Sequence, residues 1–183
     1  MAPVPVTLAE LRQVAPGAAG GRVRRMLDGV VQDAAIFLYR APARWRVRHQ
    51  GGKELVVHGP DWWERESAAA AWRHDRAESG ATVHHNGDLQ GMLFPARLPA
   101  IGDVGSVVTA QQVLDNGDRR LTIRYREPVE GTATADVSPD GHLVRLEGWD
   151  DGVVVIELRV DSWEPPPSEL FDPDVEWESS FDE

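Results

Sequence analysis

Turn-forming dipeptides recur along this chain at short intervals, and most of the stretches between them alternate apolar and polar residues. Asp28-Gly29, Gly51-Gly52, Asn116-Gly117, Pro139-Asp140-Gly141 and Asp151-Gly152 each separate two β-prone runs. Asp-Gly and Asn-Gly accept the positive φ angles of tight hairpin turns, so these positions predict hairpins. Residues 43–49, ARWRVRH, put Trp45 and Val47 on one face and Arg44, Arg46 and Arg48 on the other. That period of two belongs to a strand covered on one side only, with the arginine row expected on the outer, solvated face. Leu121, Ile123 and Tyr125 alternate with Thr122, Arg124 and Arg126, and Val154, Ile156, Leu158 and Val160 form a further apolar face. Hairpins in succession predict an antiparallel meander of about eight to ten strands.

Helical signals are few. Thr7 and Glu10 form a capping-box pair ahead of Leu8, Leu11 and Val14, and Pro16-Gly17 ends that helix. Residues 68–80, AAAAWRHDRAESG, are rich in helix formers, and Leu89, Met92 and Leu93 have helical spacing after Asn86 as N-cap. Residues 1–21 are thus read as an N-terminal helix and linker, 22–173 as a sheet domain with a helical insert near 68–95, and 174–183 as an acidic tail. The fold class is α+β, mainly antiparallel β. A long meander twists and tends to curl. About ten residues of helix span only ~15 Å, too little to cover such a sheet. The expected form is therefore a strongly curved, incomplete β-barrel, or half-barrel, with short plugging helices. Its hollow is filled by tryptophans, left as a groove, or both. Trp45 is a core ring on either reading, and the adjacent Trp62 and Trp63 must face opposite sides of their strand.

Charge and composition exclude several classes. The net charge is −11, and the last sixteen residues hold seven acids and no base. Such a surface repels nucleic acid and anionic membranes. With no cysteine, disulfides, thiolate catalysis and cysteine-ligated zinc are excluded. No apolar run approaches the ~18 residues of a membrane span. The N-terminal residues lack the charged and apolar regions of a secretory signal, so a cytoplasmic location is expected.

Catalytic signals are weak. His74-Asp75, and His84-His85 with Asp88, lack the ligand spacings of a zinc site. Ser106 has no G-x-S-x-G context. Glu64/Glu66 and Asp150/Asp151 have the character of strand-edge solubility groups. Phe171, Val175, Trp177 and Phe181 punctuate the acidic C-terminal stretch, which is either a docking segment or a frayed end.

The stretch YRAPARWRVRH, the following ELVVHGPDWWERE, and the end VSPDGHLVRLEGWDDGVVVIELRVDSWEPPPSELFDP with Leu170-Phe171-Asp172-Pro173 resemble the lipoprotein-carrier superfamily (LolA/LolB-like, RseB-like). The resemblance spans most of residues 22–173. It implies a curved open barrel plugged by helices, an apolar cavity for acyl chains or a partner's hydrophobic segment, and no catalysis. Two departures stand out: this chain has neither a signal peptide nor a lipid-attachment cysteine, and Gly59-Pro60-Asp61 replaces the usual Asp-Gly turn. By motif match, Arg44, Trp45 and Trp63 become candidate cavity or rim residues, and Val47, Leu93 and Tyr125 complete the expected ligand-binding set.

The expected function is a noncatalytic binding protein for an apolar small molecule or acyl chain. The alternative is a regulatory module that contacts a protein partner through the insert or the tail. A metal-dependent hydrolase is the third class. No cofactor is expected.

Overall fold

Asp28 and Gly29 adopt φ angles of 50° and 79°, and Gly52, Gly117 and Gly141 lie at 92°, 89° and 87°. Each of these turns is therefore built as its residues dictate. The computed structural model describes residues 6–77, 87–126, 128–149 and 152–178. Its first six strands are β1 (Ala18–Leu27), β2 (Val30–Arg40), β3 (Arg44–His49), β4 (Glu54–His58), β5 (Asp61–Arg65) and β6 (Arg73–Arg76). After α1 (Leu8–Arg12), which precedes them, the helices α2 (Gly87–Leu93) and α3 (Pro99–Gly102) lead to the remaining strands. These are β7 (Val107–Val113), β8 (Arg119–Tyr125), β9 (Gly131–Val137), β10 (Leu143–Trp149) and β11 (Val153–Ser162).

All eleven strands form one sheet in the order β6-β5-β4-β3-β2-β1-β11-β10-β9-β8-β7. Two runs of sequential hairpins are joined where the first strand pairs with the last. The order is linear, with β6 and β7 as edges, so the sheet is open and mainly antiparallel, in the α+β class. Over the described residues 68–77 the expected helix is not formed. Arg73–Arg76 is strand β6, paired antiparallel with β5. Helix propensities amount to a few tenths of a kcal/mol per residue. In their place the pairing supplies ladder hydrogen bonds, a stack of Trp63 on His74 at 4.7 Å and an ion pair between Arg73 and Glu64. Asn86 and His84-His85 lie outside the described residues.

The chain divides into two compact units: Met1–Ala15, Arg24–Gln32 and Asn86–Leu158 form one, and Pro16–Val23, Asp33–His85 and Arg159–Glu183 the other. In the first, Leu121, Ile123, Ala133, Ala135, Val137 and Leu146 of β8–β10 are buried. Across from them Leu89, Met92, Leu93 and Ile101 of α2 and α3 are buried, with α3 packing on β8 and α2 on β10. Burying each of these aliphatic side chains contributes about 1.5–3 kcal/mol. α1 begins at the Thr7–Glu10 capping box. It is tied to α3 by Arg12, whose Nε and Nη2 donate to the carbonyls of Ile101 and Asp103 at 2.6 Å each. These bonds satisfy carbonyls that a short helix leaves unpaired.

In the second unit, strand register sorts the side chains into rows. Tyr39, Trp45, Val57 and Trp62 are aligned partners across β2–β5, and so are Leu38, Arg46, Val56 and Trp63. Adjacent rows point to opposite faces. Trp45 packs on Tyr39 with ring centres 4.3 Å apart, among buried Phe37, Val47 and Leu55. The arginine face is covered at its centre as well. The segment after β11 crosses it, and its 3-10 helix Ser168–Phe171 packs on β3 and β4. The expected solvated arginine row is therefore corrected at its centre: Arg46 is wholly buried, and Arg44 and Arg48 are half-buried. Trp177, expected in an acidic tail, is buried as part of the same covering segment.

Candidate functional site

Arg46 is held by β3 and β4 below and by the crossing segment above. Its Nε donates to Glu54 Oε1 at 2.7 Å, and its Nη1 to the carbonyls of Leu170 and Asp172 at 2.8 and 3.2 Å. The other carboxylate oxygen of Glu54 accepts from Arg65 Nη2 at 2.5 Å and from Arg48 Nη2 at 3.3 Å. The Trp177 ring caps the cluster, with the guanidinium carbons of Arg46 and Arg48 at 5.5 and 5.2 Å from its centre. Burial raises the pKa of the Glu54 carboxyl, but hydrogen bonds from Arg65 and Arg46 and the charges of Arg46 and Arg48 outweigh it. The carboxyl thus sits below its ordinary value. Beside this cluster lies an open cleft of about 610 Å³, walled by Arg48, Glu54, Arg65, Trp177 and the exposed Glu176 and Glu178. Charged on most sides, it suits water and ions rather than an apolar chain.

An apolar cleft lies in the first unit. It measures about 210 Å³ and is lined by Leu98, Pro99 and Ala100 at the start of α3, by Tyr125, Ala133, Leu146 and Gly148 of β8–β10, and by Pro128. The small residues create the space. Ala133 and Gly148 are partners on β9 and β10, and a Cβ built on Gly148 would meet nothing within 4 Å. Tyr125 closes one side by lying over its partner Gly131, whose missing Cβ makes room for the ring. No ionisable side chain lines the cleft other than the Tyr125 phenol.

The six residues expected to form one site are thus distributed. Tyr125 lines the apolar cleft. Leu93 is buried in α2. Trp45 and Val47 are buried on one face of β3, whereas Arg44 and Trp63 belong to the opposite face by register. The remaining lining residues went unread in the sequence. Gly148, inside the otherwise bulky run LVRLEGW, was the available signal, since a strand glycine marks a place where a backbone needs room around it. Elsewhere, Glu64 is paired with Lys53 at 3.4 Å and with Arg73, and Glu66 with Lys53 at 3.6 Å. Among the described residues no three His, Asp or Glu side chains are grouped to hold a metal ion, and no helix is long and apolar enough to cross a membrane.

No protein-family model matches the sequence, and no curated protein matches it. Solved structures with similarity to the chain include the lipoprotein LppX of Mycobacterium tuberculosis, at 16% identity and a TM-score of 0.46, covering 83% of this chain and 92% of that one. A LolA superfamily protein from Nitrosomonas europaea matches at 14% identity and a TM-score of 0.43, covering 91% and 96%. A DUF1329 family protein from Desulfovibrio piger matches at 11% identity and a TM-score of 0.38, covering 91% and 93%.

Proposed function

We propose that the protein is a noncatalytic binding protein and that its apolar cleft takes the alkyl end of a lipid-like ligand. The observation that carries this reading is the hollow at Ala133 and Gly148, roofed by Leu98, Pro99 and Ala100 and free of charged walls. Apolar space of this kind is poorly suited to water, which needs two to four polar partners, and well suited to hydrocarbon. Pockets for drug-sized ligands run to about 300–1,000 Å³. A cleft of about 210 Å³ therefore holds part of a chain and leaves the polar head outside. Each methylene transferred from water contributes about 0.8 kcal/mol, so a handful suffices for measurable affinity. Trp45 and Val47 act in this reading as core residues of the second unit, and Tyr125 as a wall of the cleft. Native mass spectrometry of the purified protein, followed by organic extraction, tests it. Adducts of amphiphile mass that disappear on extraction are expected. A spectrum of bare protein that stays bare after incubation with fatty acid contradicts the reading.

A further inference from the structure

Eight large apolar side chains stand exposed among the described residues, and six of them gather at one end of the first unit's sheet: Leu27, Val30, Val31, Val104, Val107 and Val129. Strand register places them there. Val107 opens β7 and pairs with Arg124, next to Tyr125, which pairs with Gly131 at the start of β9. Ala133 pairs with Gly148 near the end of β10, and β11 begins at Val153. Val153 in turn exchanges hydrogen bonds with Asp28 at the tip of the β1–β2 hairpin, at 2.9 Å in each direction. Three loops thus share one end, carrying Leu27/Val30/Val31, Val104/Val107 and Val129. Tyr125, Pro128 and Gly148 of the apolar cleft lie at the same end.

Val30, Val104 and Val129 are 61%, 91% and 73% exposed. Aliphatic tips on separate loops, with no aromatic anchor among them, do not match the packed aromatic core of a protein–protein interface. A second copy also carries a net charge of −11 and is repelled. A lipid–water surface asks for no directional partner and takes up separate apolar tips by shallow burial. Asp28, Asp103 and Glu130 stand beside the valines in the sequence, and Arg124 and Arg126 lie near Val107 and Val129. The bases here do not exceed the acids, and with a chain charge of −11 an anionic headgroup layer is unfavourable. We propose that this end of the molecule docks on neutral, zwitterionic lipid surfaces, bringing the apolar cleft to the source of its ligand. The docking surface stands on the exposed loops, and only its purpose rests on the ligand reading above.

Flotation with phosphatidylcholine vesicles tests the proposal. The wild-type protein is expected to float. Val30→Asp and Val129→Asp variants, checked for an unchanged melting temperature, are expected to float at least five-fold less while binding a monomeric fatty acid from solution as before. Replacing about a third of the lipid by phosphatidylserine should weaken wild-type flotation. A Gly148→Leu variant should float like the wild type, which separates failure of docking from failure of the cleft. The proposal is overturned by a wild type that stays at the bottom, by aspartate variants that float equally, or by stronger flotation with phosphatidylserine. It is also overturned by sedimentation showing a dimer that Val30→Asp dissolves, which would assign the valines to a second copy.

Discussion

Arg46 and Glu54 stand diagonally across β3 and β4, 2.7 Å apart between Nε and Oε1, with side chains 0% and 1% exposed. Both side chains are almost wholly buried. Removing one partner of such a pair leaves the other buried and uncompensated, at a cost of about 3–5 kcal/mol. Arg46→Met or Glu54→Leu alone should therefore lower urea stability by roughly that amount. The double variant should lose clearly less than the sum, because an apolar pair of similar volume carries no desolvation penalty, and Arg48 and Arg65, at 21% and 17% side-chain exposure, can return to solvent.

Acid should destabilise the protein in two steps, led by His142 and then by Glu54. Glu54 has its folded pKa below the ordinary 4.5, so the stability it contributes is complete above that value and is lost as pH falls through the lower, folded value. His142 has its pKa depressed from 6.5, chiefly by burial, so the folded state resists its protonation. Its stabilising effect is complete above 6.5 and is withdrawn as pH drops towards the folded value. Melting temperatures measured from pH 8 downward should begin to fall below about 6.5 and fall again below about 4.5. His142→Phe should remove the first decline and leave the second.

Trp177 is structural. Its ring is buried over Arg46 and Arg48, and replacing it by alanine opens a cavity above a buried ion pair. Trp177→Ala should cost about 3 kcal/mol in chemical denaturation, within the range for large aromatics. Removal of residues 174–183 should cost as much or more, and equal stability of that truncation would contradict the covering role.

Local signals in the sequence were read where short-range chemistry decides. Asp28-Gly29, Asn116-Gly117 and the Thr7–Glu10 capping box act within a few residues, and the hairpins and α1 follow from them. The burial of Arg46 follows from something distant. Its carbonyl partners at Leu170 and Asp172 are 124 and 126 residues away, and strand alternation alone assigns that face to solvent. β6 was hidden for a related reason, since its alanine-rich context favours helix until pairing with β5 overrides it. The motif match puts Trp45 and Trp63 in one expected site. Only the register, in which Trp45 aligns with Val57 and Trp62, shows that Trp63 belongs to the opposite face. The cleft was least legible because it is made by small residues, Ala133 and Gly148, whose contribution is the volume they leave empty.

The most direct test of the cleft is a fluorescence titration with cis-parinaric acid on the wild type and on Gly148→Leu, whose added side chain points into open space. Displacing about two methylenes' worth of contact costs roughly 1.6 kcal/mol, or a little over ten-fold in affinity. Saturable wild-type binding, weakened at least ten-fold in Gly148→Leu at an unchanged melting temperature, is the predicted result. Equal affinity in the two proteins, or no saturable binding by the wild type, would contradict the assignment of the cleft as the ligand site.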